Sequence, residues 1–112
     1  MIRKAMDLAA AYTARTPAWV DFSATVCSPP RYFYGSRSHA MHEAFDVQTT
    51  SGRIEVVDNV SIAPRCPVQS GDRVEIRGEM VHDRNRSPIV HWTHPRHHHN
   101  DGFIRLDGKV YA

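Results

Sequence analysis

WVDFSATV, residues 19–26, alternates along its length. Val20, Phe22, Ala24 and Val26 fall on one side of an extended chain, and Asp21, Ser23 and Thr25 on the other. That period of two marks a half-buried strand. Upstream the period is different. Ile2, Ala5, Met6, Ala9 and Tyr12 recur at spacings of three and four, which predicts a helix over residues 2–15. Thr16-Pro17 ends it, because the residue before a proline avoids the α region.

Downstream the period of two persists in short pieces. Phe45–Thr49 alternates, Ser51-Gly52 turns the chain, and Ile54–Val57 returns. Asn59–Pro67 is irregular, with two prolines that exclude a central strand. Gly71-Asp72 opens a fourth strand, where Val74 and Ile76 alternate with Glu75 and Arg77, and Gly78 reads as a bulge or sharp bend. A polar loop, His82–Ser87, leads to a fifth strand, Ile89–Thr93, with Trp92 as a core anchor. The tail from Gly102 reads as a hairpin turning at Asp107-Gly108. Five short strands with an early long loop predict an all-β fold, a small OB-like Greek-key barrel. A β-sandwich would need about seven strands. The expected organisation is one domain, with a helix over residues 1–16 packed on a barrel over residues 17–112 that includes the hairpin.

The bulk composition agrees with that size. The chain has 112 residues, 41% hydrophobic and 23% charged, enough for one core and not two. Its net charge of +2 does not by itself imply nucleic acid. Eight histidines would add positive charge as pH falls toward 6. Cys27 and Cys66 form no CxxC pair and read as small hydrophobes rather than a disulfide framework. The start, MIRKAMDLAAAYTA, is interrupted by Asp7, so no signal peptide is expected. No stretch approaches the length of a membrane span, and a soluble, cytoplasmic protein with no membrane contact is expected.

The order of motifs carries a resemblance. GSRxH at 35–39 is followed by SIAPR at 61–65, GDRVEIRGE at 71–79, IVHWTH at 89–94, PRxxH at 95–99, DGFI at 101–104 and GKxY at 108–111. This order, from about Val20 to Tyr111, resembles the bacterial domain-of-unknown-function family 3465, whose hallmark is an HWTH segment near the C-terminus. The family pattern falls on Gly35, Arg37, His39, Phe45, Pro64, Arg65, Gly71, Gly78, His91–Arg96, His99, Gly102, Gly108 and Tyr111, among others. The chain departs from it in lacking a further His-Asp pair after HWTH, and in having Phe103 where a tryptophan is expected. The missing Asp weakens a family-based case for a carboxylate in this region. The resemblance implies an accessory role, since members occur in mobile bacterial gene cassettes, and it implies no particular chemistry.

Two constellations bear on function. The first is HWTHPRHHH, His91–His99, which holds five of the eight histidines. His91, His94 and His99 are candidates for acid–base work, and with Asp101 they are the candidate metal ligands. No cofactor is expected, and a divalent metal is the one exception kept open. The spacing matches no standard zinc signature and there is no HExxH. Hydrogen-bonded rim histidines are the plainer reading. The second constellation is PPRYFYGSRSHAMH, residues 29–42, read as a long loop with aromatics and cations interleaved and no acidic residue. The first long loop of an OB barrel binds oligonucleotides or oligosaccharides, and single strands are held by aromatic platforms and cations.

If the two segments meet, Arg37, His39, His91, His94, Arg96 and His99 would line one cleft, rich in donors and suited to an anion, and with Arg31, Tyr32 and Tyr34 they are the candidate ligand-binding residues. Asp72, Glu75 and Glu79 read as a solvated face, which leaves Asp83 and Asp101 as the carboxylates near the histidines. There is no GxSxG and no glycine-rich phosphate loop. The expected function is therefore a binding module for an anionic ligand, with single-stranded nucleic acid the best fit. The alternatives are a histidine-dependent phosphodiesterase or nuclease, with or without a metal, and a protein-interaction module with structural histidines.

Overall fold

A computed structural model describes residues 4–62, 64–83, 85–91, 93 and 102–111. Its elements are α1 (Leu8–Ala14), β1 (Ala18–Val26), β2 (Arg31–Gly35), β3 (Ala40–Gln48), β4 (Arg53–Asn59), β5 (Arg73–Val81), β6 (Ile89–His91), β7 (Phe103–Leu106) and β8 (Lys109–Val110). Five strands form the wall in the order β1-β3-β4-β6-β5, and β5 closes the ring by pairing with β1 from Ala18↔Met80 to Thr25↔Arg73. The β4–β6 pair is parallel and the other described pairs are antiparallel. The fold is thus the all-β, barrel-like ring with an N-terminal helix that the alternating segments predict. The C-terminal hairpin is also as expected: β7 and β8 turn through Asp107 (φ 52°) and Gly108 (φ 79°), the left-handed pair that a two-residue hairpin requires.

Alternation fills the interior. Val20, Phe22, Ala24 and Val26 of β1 meet Phe45 and Val47 of β3, Ile54 and Val56 of β4, and Val74, Ile76 and Met80 of β5 in one core, which Val90 and Ile104 complete. The helix is shorter than its period suggests. Asp7 caps it, its Oδ2 accepting from the Ala10 amide at 3.2 Å, and Arg15 ends it in the left-handed conformation. Ahead of the cap the chain runs beside β1, where the Met6 amide donates to the Trp19 carbonyl. Leu8, Ala11 and Tyr12 seal one end of the barrel, and the Tyr12 hydroxyl donates to the Arg53 carbonyl at 3.1 Å.

Two local readings are corrected. Residues 29–42 are not a loop: β2 pairs with β3 from Arg31↔Ala44 to Gly35↔Ala40. The interleaved aromatics and cations that suggested a loop are also a strand's alternation, and aromatic residues favour strands. Gly78 is not a bulge, since the β1–β5 register runs through it unbroken. It is the point where β5 changes partner from β7 to β6. A Cβ there would lie 2.5 Å from the His91 carbonyl oxygen and 2.9 Å from Val90 Cγ1, so the glycine permits a close backbone approach. Trp92, the expected core anchor, lies outside the described residues.

Candidate functional site

Pairing registers place one row of side chains across the outside of the wall. Arg31 is opposite Ala44, Ala44 is opposite Val57, and His91 follows Val90, which is level with Val56. His91 is in turn opposite Glu79, and Glu79 opposite Trp19. Arg31 and His91, from the two constellations, therefore share one face and one row, three strand spacings or about 14 Å apart.

At one end of this row lies an open hollow of about 350 Å³ lined by Arg31, Asp46, Glu55, Arg86 and Ser87. Asp46 and Glu55 face each other across β3 and β4. Arg31 Nη2 donates to Glu55 Oε2 at 2.6 Å and to Asp46 Oδ1 at 3.2 Å. Arg53 closes on Asp46 Oδ2 from the far side, at 2.6 Å through Nη2 and 3.1 Å through Nε. Burial of the Arg31 guanidinium works against its charge, but its bonds to the two carboxylates outweigh this and raise its pKa. Arg31 is thus neutralised within the protein rather than held ready for a phosphate. Arg86 is more open, 63% exposed, with Asp83 at 3.8 Å.

Two residues along β2 from Arg31, Phe33 stacks on His42 with ring centres 5.3 Å apart and planes at 16°. Phe33 is 45% exposed. It shares the outer face with Arg31, since both sit at odd positions of β2, whereas Tyr32 and Tyr34 point to the other face. Phe33 is the platform that the candidate ligand set lacks; its position one residue from each tyrosine is the signal that a strand reading of this segment would have supplied.

The histidine end of the row holds a further group that sequence reasoning assigned to a solvated face. Glu79 Oε1 lies 2.9 Å from His91 Nε2. A carboxylate therefore does stand beside a histidine, and it comes from a neighbouring strand rather than from Asp83 or Asp101. Such a partner orients an imidazole through one ring nitrogen.

Tyr32 leads into the barrel interior. Its hydroxyl donates to Glu43 Oε2 at 2.9 Å, and the Cys66 amide donates to Glu43 Oε1 at the same distance. Arg65 lies over the Tyr32 ring, 4.6 Å from its centre. Opposite Glu43 stands Asp58, 1% exposed. Neither of its carboxylate oxygens has a hydrogen-bond partner among the described residues. Burial first, and then the charge of Glu43, push the Asp58 carboxyl up to about 7. Burial and the same carboxylates push the Cys66 thiol up to about 12, which disfavours the reactive thiolate. Burial and the Glu43 contact also raise the Tyr32 hydroxyl.

The remaining predicted residues do not join this row. Arg37 and His39 lie at the tip of the β2–β3 hairpin, about 16 Å along the strand from the level of Arg31 and His91. His39 is left-handed (φ 54°) and its Nδ1 is 3.5 Å from the Tyr34 hydroxyl. His94, Arg96, His99 and Asp101 lie outside the described residues. Among the described residues no group of three or more His, Cys, Asp or Glu is placed to hold a metal ion. No described helix is long and apolar enough to cross a membrane.

Comparison with known proteins adds one relation. No curated protein and no solved structure matches the chain. The profile of one family, described as protein of unknown function DUF3465, matches residues 31–112. The match begins at the first residue of β2 and covers every element after it, leaving α1 and β1 outside. The chain belongs to the DUF3465 family.

Proposed function

We propose that this protein is a small OB-like binding module for single-stranded nucleic acid. The observation that carries the reading is the exposed Phe33 ring, stacked on His42 on the same outer face as Arg31, Arg86 and His91. A stacking platform with cations beside it is what single strands need. The ring order supports the same reading: β1-β3-β4-β6-β5 with its β4–β6 parallel pair is the order of an OB barrel once the β2 hairpin is counted as part of the first connection. OB barrels bind on their second and third strands, here β3 and β4, and on the loops after the first and fourth strands. Those loops are residues 27–39, which carry Arg31 and Phe33, and residues 82–88, which carry Arg86 and Ser87. Because Arg31 is neutralised, contact with bases carries more of the affinity than a purely phosphate-binding cleft would give. The test is fluorescence anisotropy of a labelled oligonucleotide at low salt, with the wild type and Phe33→Ala. Binding weakened several-fold or more by the substitution supports the module. No binding at low salt, at pH 6 or 7.5, overturns it.

One observation favours a second reading. The Glu79–His91 pair has the geometry of an oriented general base, with the imidazole on the face where the strand would lie. Histidine-dependent cleavage of a phosphodiester would then accompany binding. Incubating a labelled oligonucleotide with the protein and with His91→Ala, each with and without chelator, tests it. Cleavage lost in the variant supports this reading, and loss with chelator adds a divalent metal. An intact oligonucleotide after prolonged incubation overturns it.

A further inference from the structure

We infer that the hollow beside Arg31 reads the base, and that it selects bases bearing an exocyclic amine, cytosine above all, over thymine or uracil. The inference rests on the reading that the outer face takes a single strand. The polar atoms of the hollow differ in how far they are already used. Asp46 is committed on both oxygens, Oδ1 to Arg31 and Oδ2 twice to Arg53. Arg31 is committed to Ser28, Asp46 and Glu55. Glu55 is different. Its Oε2 takes Arg31 at 2.6 Å, while its Oε1 has no partner among the described residues. The ion pair therefore fixes the carboxylate in position and leaves one acceptor uncommitted on a residue that lines the hollow. The Ser87 hydroxyl and the loosely held Arg86 guanidinium are the other polar groups lining it that are not fully engaged.

A fixed acceptor beside an exposed cation is a poor site for a bare anion, which Glu55 would repel. It suits a nucleotide unit, whose base can donate while its phosphate meets Arg86. A carboxylate accepting from the cytosine N4 amine is a recognised base contact. Thymine and uracil present a carbonyl at the same ring position, and an acceptor facing Glu55 Oε1 leaves both groups desolvated and unpaired. Stacking on Phe33 barely separates the two pyrimidines, because each offers a similar ring face. Discrimination thus falls to Glu55, with Arg31 as the residue that positions it.

The test compares labelled oligo(dC) and oligo(dT) of about 12 nucleotides at low salt and near pH 7.5, by anisotropy. Wild-type protein should bind oligo(dC) about ten-fold more tightly. Glu55→Gln removes the negative charge and offers an amide that can turn to serve either base. In that variant the preference should fall to about two-fold or less, with oligo(dT) bound no more weakly than by wild type. Arg31 keeps Asp46 as a partner, and an unchanged melting curve checks that the variant is folded. Equal binding of the two oligonucleotides by wild type, with Phe33→Ala still weakening both, overturns the base selection and leaves the module standing. A preference that survives Glu55→Gln also overturns it. If neither oligonucleotide binds, the underlying reading falls and this one with it.

Discussion

Asp58 on β4 stands directly opposite Glu43 on β3, and both carboxyl groups are sealed inside the barrel wall. Glu43 is held by two hydrogen bonds, while Asp58 has no partner in good hydrogen-bond geometry and only the nearby Asn59 backbone amide to favour its ionised form. Two ionised carboxylates cannot be accommodated side by side there, so the proton stays on Asp58.

Stability should therefore fall as pH rises toward 7. A carboxyl whose pKa is about 7 when folded and 3.8 when unfolded binds its proton more tightly in the folded state. Its effect on unfolding free energy changes by about 1.4 kcal/mol per pH unit between those values, up to about 4 kcal/mol in all, and is constant above and below. Asp58→Asn keeps the shape and removes the proton equilibrium. Urea unfolding at pH 5, 6, 7 and 8 should show the variant gaining on the wild type steadily up to pH 7. Parallel curves for the two proteins would mean that Asp58 is ionised at little cost.

Tyr32→Phe should loosen the hairpin. The lost hydroxyl leaves a buried oxygen of Glu43 without its donor, at a cost of about 1.5–3 kcal/mol. Tyr34→Phe is the control, since that ring is 59% exposed and its hydroxyl reaches only His39 at 3.5 Å. Melting curves and amide exchange over residues 31–35 check the difference. Equal effects from both substitutions would show that the Glu43 bond does not anchor β2.

Gly78→Ala should destabilise the closing strand. Its new methyl would overlap the His91 carbonyl oxygen, which belongs to backbone and cannot turn aside. Overpacking of this kind costs about 1–3 kcal/mol. The same substitution at Gly71 meets nothing within 4 Å but sits at φ 97°, so its cost would come from backbone strain alone. A Gly78→Ala protein as stable as wild type would show that β6 can shift without loss.

Salt should weaken oligonucleotide binding only modestly. Each phosphate contact to a single strand contributes a slope of about −0.7 in log affinity against log salt. Arg31 is neutralised by Asp46 and Glu55, so Arg86 is the main cation of the hollow left for phosphate. Arg86→Ala should make the slope shallower by about 0.7, while Arg31→Ala should cost affinity through a misplaced Glu55 and leave the slope nearly unchanged. A large loss of slope on Arg31→Ala would mean that its ion pairs open on binding.

The wall of the barrel was legible because each of its strands buries one side. Val20, Phe22, Val74 and Ile76 show this plainly, and the Asp-Gly hairpin announces itself through the backbone that it requires. The hairpin at residues 31–35 was hidden for the opposite reason. Every residue of β2 from Arg31 to Tyr34 is exposed, so no apolar face marks it, and two prolines precede it. The helix starts later than the period suggests because Ala5 and Met6 keep a helical spacing ahead of an Asp that caps the helix. The polar site was the least legible part. Glu79 meets His91, and Glu55 meets Arg31, across strand pairings that no local spacing encodes. Asp58 looks in sequence like any acidic residue at a strand end, and only its register opposite Glu43 gives it a chemistry.

β1 also sets the order of assembly. β1 has eight residues paired with β5 and two with β3. Its main partner lies 48 (Thr25↔Arg73) to 62 (Ala18↔Met80) residues further along the chain. As the polypeptide leaves the ribosome, Val20, Phe22 and Ala24 emerge before their β5 partners and wait without cover. The β3–β4 hairpin can form meanwhile, since its two strands adjoin in sequence. Ring closure is left to late, long-range pairing, which makes folding slow for a domain of this size. Until then the exposed apolar edge of β1 is the segment that a chaperone would grip, and the one through which unfinished chains would stick together.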